Sequence, residues 1–550
     1  MKTRVIHRKS LILSALLLIS IVLKAQINEV TTHFGVNAQT SMNVTWTTSS
    51  KLTNTYLQVK NPSGDIVYNQ YGSPQSNGSG YSYYASLTGL EPATTYTYTV
   101  VSSGGNRSGT FKTASTAESK ASLRFVYIAD PQVGGNSDAA AAGSNFNLIN
   151  NHEEEIDFVY IAGDHTDQGT GSQWASLFNA YSGAGRTMFL NHAIASTQGN
   201  HDGINLEGRI NMPTTSGIKG VYAINYGLLR FIIFNTQRQS STDKNKQLNF
   251  LTQQVNEAKA AGQWVAVGFH KPLYTGGSHA YDDDIKALRT YWSPIFADLD
   301  IDMVLAGHDH VYSRGFVRGD HTGVSGANKK TGEPVLTYYH VTGAPLHMVG
   351  GHAGGLKWYS GYNFSYLDKN SATEYPPSSQ TKEQTYIVVE VTADKATFTA
   401  YNSKYGSKPR YVYDKFVVLK NTYNTRILTY ISDGAGTISG ETSQTVSVNG
   451  SGTEVEAVAN EGYHFVKWSD GVTTAKRTDK NVTNNITVTA EFAINTYALT
   501  YNEDGNGTIQ GEATQTVNHN GSGTEVKAVA NGGYHFVQWS DGKIDNPRID

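Results

Sequence analysis

Cysteine is absent from this chain of 550 residues. Without thiols there is no disulfide framework, no cysteine zinc site, no iron–sulfur cluster and no thiol nucleophile. A bound metal would have to be held by His, Asp, Glu, Asn, Gln or Tyr. Charge is also sparse, because only 16% of residues are charged and the formal net charge is −3. Such a chain lacks the broad basic face that nucleic-acid binding requires.

The first 25 residues differ from the rest. They contain five Lys/Arg and no acidic residue, so the remainder carries 38 − 46 = −8. Their apolar run, Leu11–Leu23, is shorter than the ~20 residues of a membrane span. We predict a signal peptide over residues 1–25, with an uncleaved anchor as the alternative. No second long apolar run follows. The mature chain is therefore expected to have no membrane span and to be secreted or held at the envelope of a bacterium.

Residues 26–117 predict a small β-sandwich. Short alternating strands are separated by turn residues, namely Met42–Thr47, Tyr56–Val59, Tyr81–Leu87 and Thr95–Val101. The segment from Leu87 to Val100 resembles the E–F corner of a fibronectin type III-like domain, in which a Leu and a Tyr pin the loop. Trp46 fits a core position of an early strand.

Residues 118–420 change to nearly continuous apolar strands, a pattern typical of strands buried on both faces. Five of them run directly into polar residues that can bind metals. The strands are Leu123–Ala129, Phe158–Ala162, Ile194–Thr197, Trp264–Phe269 and Met303–Ala306. Helices are predicted at Asp243–Ala261 and Asp282–Leu299, and closing strands at Tyr386–Val391, Ala396–Tyr401 and Tyr411–Leu419. In layered α/β folds ligands gather at the carboxyl ends of strands.

Residues 424–550 contain an internal repeat with a period of 71 residues. Tyr463–Trp468 recurs as Tyr534–Trp539, and Gly450–Asn460 recurs with one change as Gly521–Asn531. The repeats resemble Listeria–Bacteroides-type B-repeats, small β modules of bacterial surface proteins. We expect a first unit at 424–494 and an incomplete second unit at 495–550. Trp468 and Trp539 are expected in the repeat cores rather than as sugar-binding platforms.

Five polar motifs follow the five strands in order. They are Asp130-Pro-Gln132, Gly163-Asp164, Gly199-Asn200-His201, His270 and Gly307-His308-Asp-His310. Each motif alone is weak evidence, but all five in this order make coincidence improbable. Together they resemble the metallophosphoesterase (calcineurin-like) superfamily. That resemblance implies a multidomain protein with a central α/β domain, built as a layered β-sandwich flanked by helices. An N-terminal β-sandwich precedes it and small β repeats follow it.

A finer resemblance is to purple acid phosphatases, which also carry a fibronectin-like N-terminal domain. It rests on His270-Lys-Pro-Leu-Tyr274 and on Ile301–Arg314. Two positions depart from that family. Asp167 stands where the purple enzymes have a tyrosine, and Gln132 adds a ligand that they lack. We therefore do not expect their tyrosine-to-iron colour.

The resemblance implies two metal ions, manganese, iron or zinc, with Asp164 as the catalytic bridging ligand. One ion would be held by Asp130, Gln132, Asp164 and His310. The other would be held by Asp164, Asn200, His270 and His308. In this family a metal-activated hydroxide attacks phosphorus in line with the leaving oxygen.

Further roles follow from the same resemblance. His201 matches the catalytic histidine beside the metals, which contacts a phosphate oxygen or protonates the leaving group. Asp202 or Asp167 is expected to orient an imidazole, although Asp167 could equally cap a helix. Substrate contacts are assigned to a set of four residues, for which surface exposure or strand-end packing is the alternative: His165, His279, Tyr312 and Arg314. A third metal at His340, His347 and His352 is a less favoured reading.

The sequence thus predicts an exported phosphoesterase acting on a small phosphorylated substrate, of the phosphomonoesterase, acid phosphatase-like type. A phosphodiesterase or nucleotidase with the same metals is one alternative. The other is a surface adhesion protein, in which the C-terminal repeats contact a cell surface or glycans.

Overall fold

The structure is a computed structural model. It describes residues 26–116, 122–203, 206–324, 329–330, 332–355, 357–359, 382–405, 408–420, 425–447 and 451–550. The predicted signal peptide lies outside these residues. The chain divides into two compact units, Met1–Asn421 and Thr422–Asp550. Among the described residues, no helix has both the length and the hydropathy to cross a bilayer.

The N-terminal region is a β-sandwich, as predicted. Its strands are β1 (Ile27–Phe34), β2 (Met42–Thr48), β3 (Tyr56–Lys60), β4 (Ile66–Tyr71), β5 (Ser73–Ser76), β6 (Tyr81–Leu87), β7 (Thr95–Val101) and β8 (Arg107–Lys112). Trp46 is fully buried and stacks on Tyr83 at 5.6 Å. The hydroxyl of the buried Tyr96 accepts a hydrogen bond from the Glu91 amide at 2.9 Å, which pins the turn before β7.

Among its described residues, the central region has two sheets and four α-helices. Its strands are β9 (Ser122–Ile128), β10 (Phe158–Ile161), β11 (Ala193–Ser196), β12 (Tyr222–Tyr226), β13 (Leu229–Ile233), β14 (Trp264–Gly268), β15 (Met303–Ala306), β16 (Tyr312–Phe316), β17 (Lys329–Lys330), β18 (Leu336–Tyr339), β19 (Leu346–Gly350), β20 (Gln384–Thr392), β21 (Lys395–Lys404) and β22 (Lys408–Leu419). Its helices are α1 (Asn136–His152), α2 (Gly171–Asn191), α3 (Ser241–Ala260) and α4 (Asp283–Asp298), with a short 3₁₀ turn at Ser278–Tyr281.

The two central sheets pack face to face between helices. One sheet places β9, β10 and β11 side by side in parallel, and the other has the order β12-β13-β14-β15-β19-β16. Aromatic rings fill the space between them, with Phe231 contacting Phe125 at 5.8 Å and Tyr160 at 4.7 Å. Helices α1 and α2 cover the first sheet and α3 and α4 the second. This four-layer arrangement confirms the predicted layered β-sandwich flanked by helices.

The N-terminal strands continue the first central sheet. Strand β1 pairs in parallel with β11, so that Thr32 lies opposite Ala193 and His33 opposite Ile194. The resulting twelve-stranded sheet has the order β17-β18-β22-β21-β20-β9-β10-β11-β1-β2-β6-β5. The expected boundary near residue 117 is therefore not a break in the sheet.

The C-terminal unit contains both repeats. The first has β23 (Thr425–Ser432), β24 (Gly436–Ser439), β25 (Ser443–Ser447), β26 (Val455–Ala459), β27 (Tyr463–Trp468), β28 (Lys476–Arg477) and β29 (Ile486–Ile494). The second has β30 (Thr496–Thr500), β31 (Gly507–Gln510), β32 (Thr514–Asn518) and β33 (Lys527–Ala530). Trp468 and Trp539 are both buried in the repeat cores, as expected.

Candidate metal centre and active site

The five motifs meet at one edge of the central domain. Asp130, Asp164 and Asn200 follow the parallel strands β9, β10 and β11 of one sheet, while His270 and His308 follow the parallel strands β14 and β15 of the other. Because parallel strands end at a common edge, residues far apart in sequence become neighbours there. The seven predicted metal ligands are all placed at this edge.

Backbone strain is concentrated in these residues. Five of the seven have left-handed φ angles between 37° and 78°, a conformation that costs free energy for residues other than glycine. They are Asp130, Gln132, Asp164, His308 and His310. Gly199 permits the closest approach, since a Cβ there would lie 2.0 Å from Oδ1 of Asp164. Such clustered strain is typical of functional sites.

One half of the site is formed by Asp164, His270 and His308, whose ligand atoms all lie within 4.8 Å of one another. Nδ1 of His270 is 2.8 Å from the carbonyl oxygen of Ala162, which can only accept, so this nitrogen carries the proton in the neutral ring. Nε2 of His270 then faces Nδ1 of His308 at 3.2 Å and Oδ1 of Asn200 at 3.0 Å. Convergent lone pairs of this kind fit a cation.

The other half contains two buried atoms without a hydrogen-bond partner in the described part of the chain. They are Nε2 of His310 and Oε1 of Gln132. His310 donates through Nδ1 to the Lys357 carbonyl at 2.7 Å, and Gln132 donates through Nε2 to Asp167 at 3.2 Å. These bonds leave the two orphaned atoms as potential metal ligands, because buried polar atoms are normally satisfied.

Electrostatics agree with a cation site. Burial by itself would lower the pKa of His270, but Asp164 and Asp130 outweigh it and raise the pKa to about 9. Burial acts to raise the pKa of Asp164, yet His270 holds it below its usual range. The pKa of Asp130 is raised well above its usual range, chiefly by burial. Two buried carboxylates thus share one nearby imidazole, and metal ions would supply further positive charge.

His201 borders the cluster and is partly exposed. Its backbone amide donates to Oδ1 of Asp164 at 2.9 Å, and its Nδ1 donates to the Asp167 carbonyl at 2.7 Å. The Asp167 carboxylate lies 3.6 Å from the same nitrogen. Asp167 therefore orients the imidazole of His201 and also holds Gln132, which leaves Nε2 of His201 available for proton transfer.

Asp202 orients a different imidazole. Its carboxylate accepts from the Gly199 amide at 2.8 Å and from the amide and Nδ1 of His165 at 2.7 and 3.1 Å. Nε2 of His165 lies 2.9 Å from the Ser196 hydroxyl. His165 and Asp202 are fully buried. The expectation that His165 contacts substrate, and its alternative of surface exposure, are therefore both wrong, and His165 instead supports the Gly-Asn-His loop.

The three remaining candidate substrate residues lie in two different places. His279 lies beside the cluster, with its ring 4.7 Å from that of His308, its Nδ1 2.7 Å from Asp282, and its buried Nε2 without a hydrogen-bond partner among the described residues. Tyr312 and Arg314, by contrast, are buried and bind the Asp414 carboxylate at 2.6 and 2.7 Å. Their role is to link β16 to β22, which corresponds to the packing alternative.

The structure also places residues that the sequence patterns did not identify. The Tyr359 ring contacts His279 at 4.9 Å and His310 at 4.7 Å, and Lys357 supplies the carbonyl that binds His310. No spacing signal marks these residues, since they belong to a loop after β19. The three histidines considered for a third metal are separated: His340 faces Asp302 at 3.7 Å, His347 contacts Tyr274, and His352 contacts His310.

Comparisons with known families agree with this geometry. Residues 123–312 match the family of calcineurin-like phosphoesterases, and residues 28–115 match the purple acid phosphatase N-terminal domain. Residues 427–496 and 497–547 each match the divergent InlB B-repeat domain.

Two relatives among curated proteins cover different parts of the chain. Internalin H of Listeria monocytogenes is 32% identical over 151 residues, covering 26% of this chain and 27% of that protein. Protein Rv2577 of Mycobacterium tuberculosis, which is uncharacterized, is 24% identical over 382 residues, covering 59% of this chain and 69% of that protein. The chain thus spans about a quarter of the internalin.

Two solved structures share the fold. The purple acid phosphatase PPD1 from yellow lupin (Lupinus luteus) seeds has a TM-score of 0.54 at 15% identity, covering 72% of this chain and 75% of that chain. The structure of PhoD has a TM-score of 0.50 at 12% identity, covering 71% of this chain and 89% of that chain. Regions of this chain therefore match, in order, a purple acid phosphatase N-terminal domain, a calcineurin-like phosphoesterase domain and two InlB-type B-repeats.

Proposed function

We propose that this protein is an exported phosphomonoesterase with a two-ion centre, acting on a small phosphorylated substrate. The observation that carries the proposal is the pair of orphaned buried atoms, Gln132 Oε1 and His310 Nε2, beside the convergent cluster of Asp164, His270 and His308. One ion would be held by Asp130, Gln132, Asp164 and His310. The second would be held by Asp164, Asn200, His270 and His308.

Metal ions bound here would neutralise charge on the phosphoryl group and make a water nucleophilic at neutral pH. The mixed nitrogen and oxygen donors suit manganese, iron or zinc. Asp164 belongs to both ligand sets, and its Oδ1 is fixed by the His201 amide. Removal of Asp164 would therefore disrupt both sets at once.

His201 serves as the proton donor to the leaving oxygen. Its Nδ1 proton is committed to the Asp167 carbonyl, so the doubly protonated ring would give up its Nε2 proton to the leaving oxygen and return to the neutral form with the proton on Nδ1. Because the side chain is about one-third exposed, a leaving group can reach it from solvent. His279 provides a second imidazole, and Asp282 on its Nδ1 likewise leaves Nε2 to bind a phosphate oxygen.

Two imidazoles that are not candidate metal ligands, those of His201 and His279, favour a phosphomonoester as the substrate. A phosphomonoester has more terminal oxygens, and more negative charge, than a diester, and donors such as His201 and His279 suit that charge. An envelope or surface location is supported by the InlB-type repeats and by the likeness to Internalin H. The repeats would then hold the enzyme at the cell surface or contact glycans there.

The test compares hydrolysis of a chromogenic phosphomonoester with that of the matching diester. The chain from residue 26 to 550 is stripped of metal and reloaded in turn with manganese, zinc or iron. Asp164→Ala is the inactive control and Asp298→Ala, an exposed aspartate at the end of α4, is the matched control. We expect monoester turnover that Asp164→Ala loses and Asp298→Ala keeps. Faster diester turnover would reassign the substrate class, and turnover by Asp164→Ala would refute the two-ion mechanism.

A further inference from the structure

His352 lies directly against a candidate metal ligand without itself being one of the family's motif residues. It is fully buried, and its ring stacks on the His310 ring with centroids 4.0 Å apart and planes inclined by only 8°. The ring interacts with the backbone carbonyl of Asp130, but neither ring nitrogen makes a hydrogen bond of good geometry among the described residues. Burial of an unsatisfied imidazole is unfavourable, so this position calls for a specific explanation.

A glycine-rich turn after β19 carries His352 to this place. The His352 carbonyl accepts from the Thr385 amide at 2.9 Å, and the Ala353 amide donates to the Ala129 carbonyl at 2.8 Å. At Gly354 an added Cβ would lie 2.0 Å from the Pro131 carbonyl oxygen. The turn therefore packs closely against the segment that contains Asp130. The backbone of the turn sets the position of the His352 ring.

The orientation of His310 depends on such contacts. Its Nδ1 is held by one hydrogen bond, to the Lys357 carbonyl, and its ring also contacts Tyr359 at 4.7 Å. Nε2 of His310 lies 3.9 Å from Oδ1 of Asp130, on the side where Gln132 Oε1 is also orphaned. A flat ring packed on another flat ring restricts rotation about the last side-chain torsion, which is otherwise broad for histidine.

We propose that His352 is a positioning residue whose ring fixes the plane of His310, so that Nε2 stays aimed at the ion site shared with Asp130 and Gln132. This inference rests on the two-ion centre proposed above. It assigns the role to the planar surface of the ring rather than to a ring nitrogen. It also explains how an imidazole whose nitrogens make no hydrogen bond of good geometry among the described residues can contribute to the site.

The test measures metal affinity rather than turnover. The metal-depleted chain from residue 26 to 550 is titrated with Zn²⁺ or Mn²⁺ against a chelator, and the number of ions bound is counted. His352→Leu fills a similar volume without a planar ring, and His352→Phe keeps the plane without nitrogens. His347→Leu is the matched control, because His347 is another buried histidine of the β19 region and contacts Tyr274 instead of a ligand.

We expect two ions in the unaltered chain and a loss of about 10- to 100-fold in affinity for one of them in His352→Leu. His352→Phe should recover most of that loss, and His347→Leu should bind both ions normally. Unchanged binding by His352→Leu would overturn the proposal, as would a His352→Phe variant as weak as His352→Leu. Fewer than two ions in the unaltered chain would instead overturn the two-ion centre itself.

Discussion

Hydrogen bonds at single nitrogen atoms determine what the histidines of this chain can do. In His201, His270 and His310, Nδ1 donates to a backbone carbonyl, which leaves Nε2 for chemistry or for a metal. In His165 both nitrogens are engaged, by Asp202 and Ser196, so the same side chain is structural. Residue type and spacing therefore identified the candidate histidines, and the hydrogen-bond partners of each ring distinguish structural histidines from candidate functional ones.

We expect His201→Ala to retain bound metal and to lower turnover by ~10²–10⁴-fold, because general acid catalysis typically contributes that much. Metal content and kcat are measured on the same sample. His279→Ala removes the proposed phosphate contact and should therefore raise KM more than it lowers kcat. A normal kcat in His201→Ala would show that this histidine only supports the loop.

Buried neutral histidines should make the folded protein sensitive to acid. Burial, with Arg289 nearby, lowers the pKa of His347 to about 3, whereas an unfolded imidazole titrates near about 6.5. The unfolded chain therefore binds a proton that the folded chain rejects, and stability is lost as the pH falls from about 6.5 towards about 3. Burial also lowers the pKa of His33 to about 3, so His33 acts in the same direction.

The measurement is chemical unfolding at several pH values between 7 and 4. Between its folded and unfolded pKa values, each such histidine lowers the free energy of unfolding by about 1.4 kcal/mol for each pH unit of acidification. His347→Leu should show a shallower decline than the unaltered chain by about that amount. Equal slopes would mean that His347 is protonated in the folded state.

Elements were predicted well where the pattern was local. The strands that end in candidate ligands were predicted from nearly continuous apolar runs, and helices α3 and α4 from the stretches between them. Ser240 caps α3 by accepting from the Asp243 amide at 3.1 Å. The pairing of β1 with β11 had no such signal, because the partners lie about 160 residues apart. That pairing joins the N-terminal sandwich to the strand that leads into the Gly-Asn-His loop.

A buried ion pair lies beside the pairing of β1 with β11. Glu29 on β1 lies 3.0 Å from Arg209, which follows the Gly-Asn-His loop, and both side chains are nearly inaccessible. The Thr31 hydroxyl also donates to the Arg209 carbonyl at 2.7 Å, and the guanidinium lies over Trp174. The N-terminal sandwich is thus part of the support for the Gly-Asn-His loop.

We expect Glu29→Ala to lower the free energy of unfolding of the unit Met1–Asn421 by about 3–5 kcal/mol. The reason is that the substitution leaves the Arg209 charge buried without its carboxylate partner. The double variant Glu29→Leu with Arg209→Met removes both charges and should recover most of that loss. Denaturant unfolding of the single and double variants checks this. A double variant as unstable as Glu29→Ala would mean that shape, not charge, governs the contact.

At the scale of the whole molecule the chain divides by function. All the predicted ligands lie in the unit up to Asn421, and the unit from Thr422 contains only the repeats. Within that second unit, β29 of the first repeat lies between β23 and β27, and it contributes Val488 and Ala490 to the repeat core. No equivalent strand is present among residues 497–550, and Trp539 is correspondingly more exposed (8%) than Trp468 (0%).

Deletion of residues 422–550 should leave kcat/KM for a soluble phosphomonoester unchanged within a factor of about two. The reason is that all the candidate ligands lie in the unit up to Asn421, which has its own core. The same deletion should release the enzyme from the cell surface if the repeats anchor it. Activity assays on the purified truncated protein and on cell fractions test both parts. A large fall in kcat/KM would show that the repeats contribute to catalysis.

The sequence by itself determined the order and the chemistry of the candidate ligands. Apolar strands followed by Asp130, Asp164 and His270 are local features, and burial of such strands follows from their composition. Only the tertiary structure decided that Tyr312 and Arg314 bind Asp414, about a hundred residues away, instead of lining the site. The reason is physical: a side chain's role depends on its burial and its hydrogen-bond partners, and these are set by packing between segments far apart in the chain.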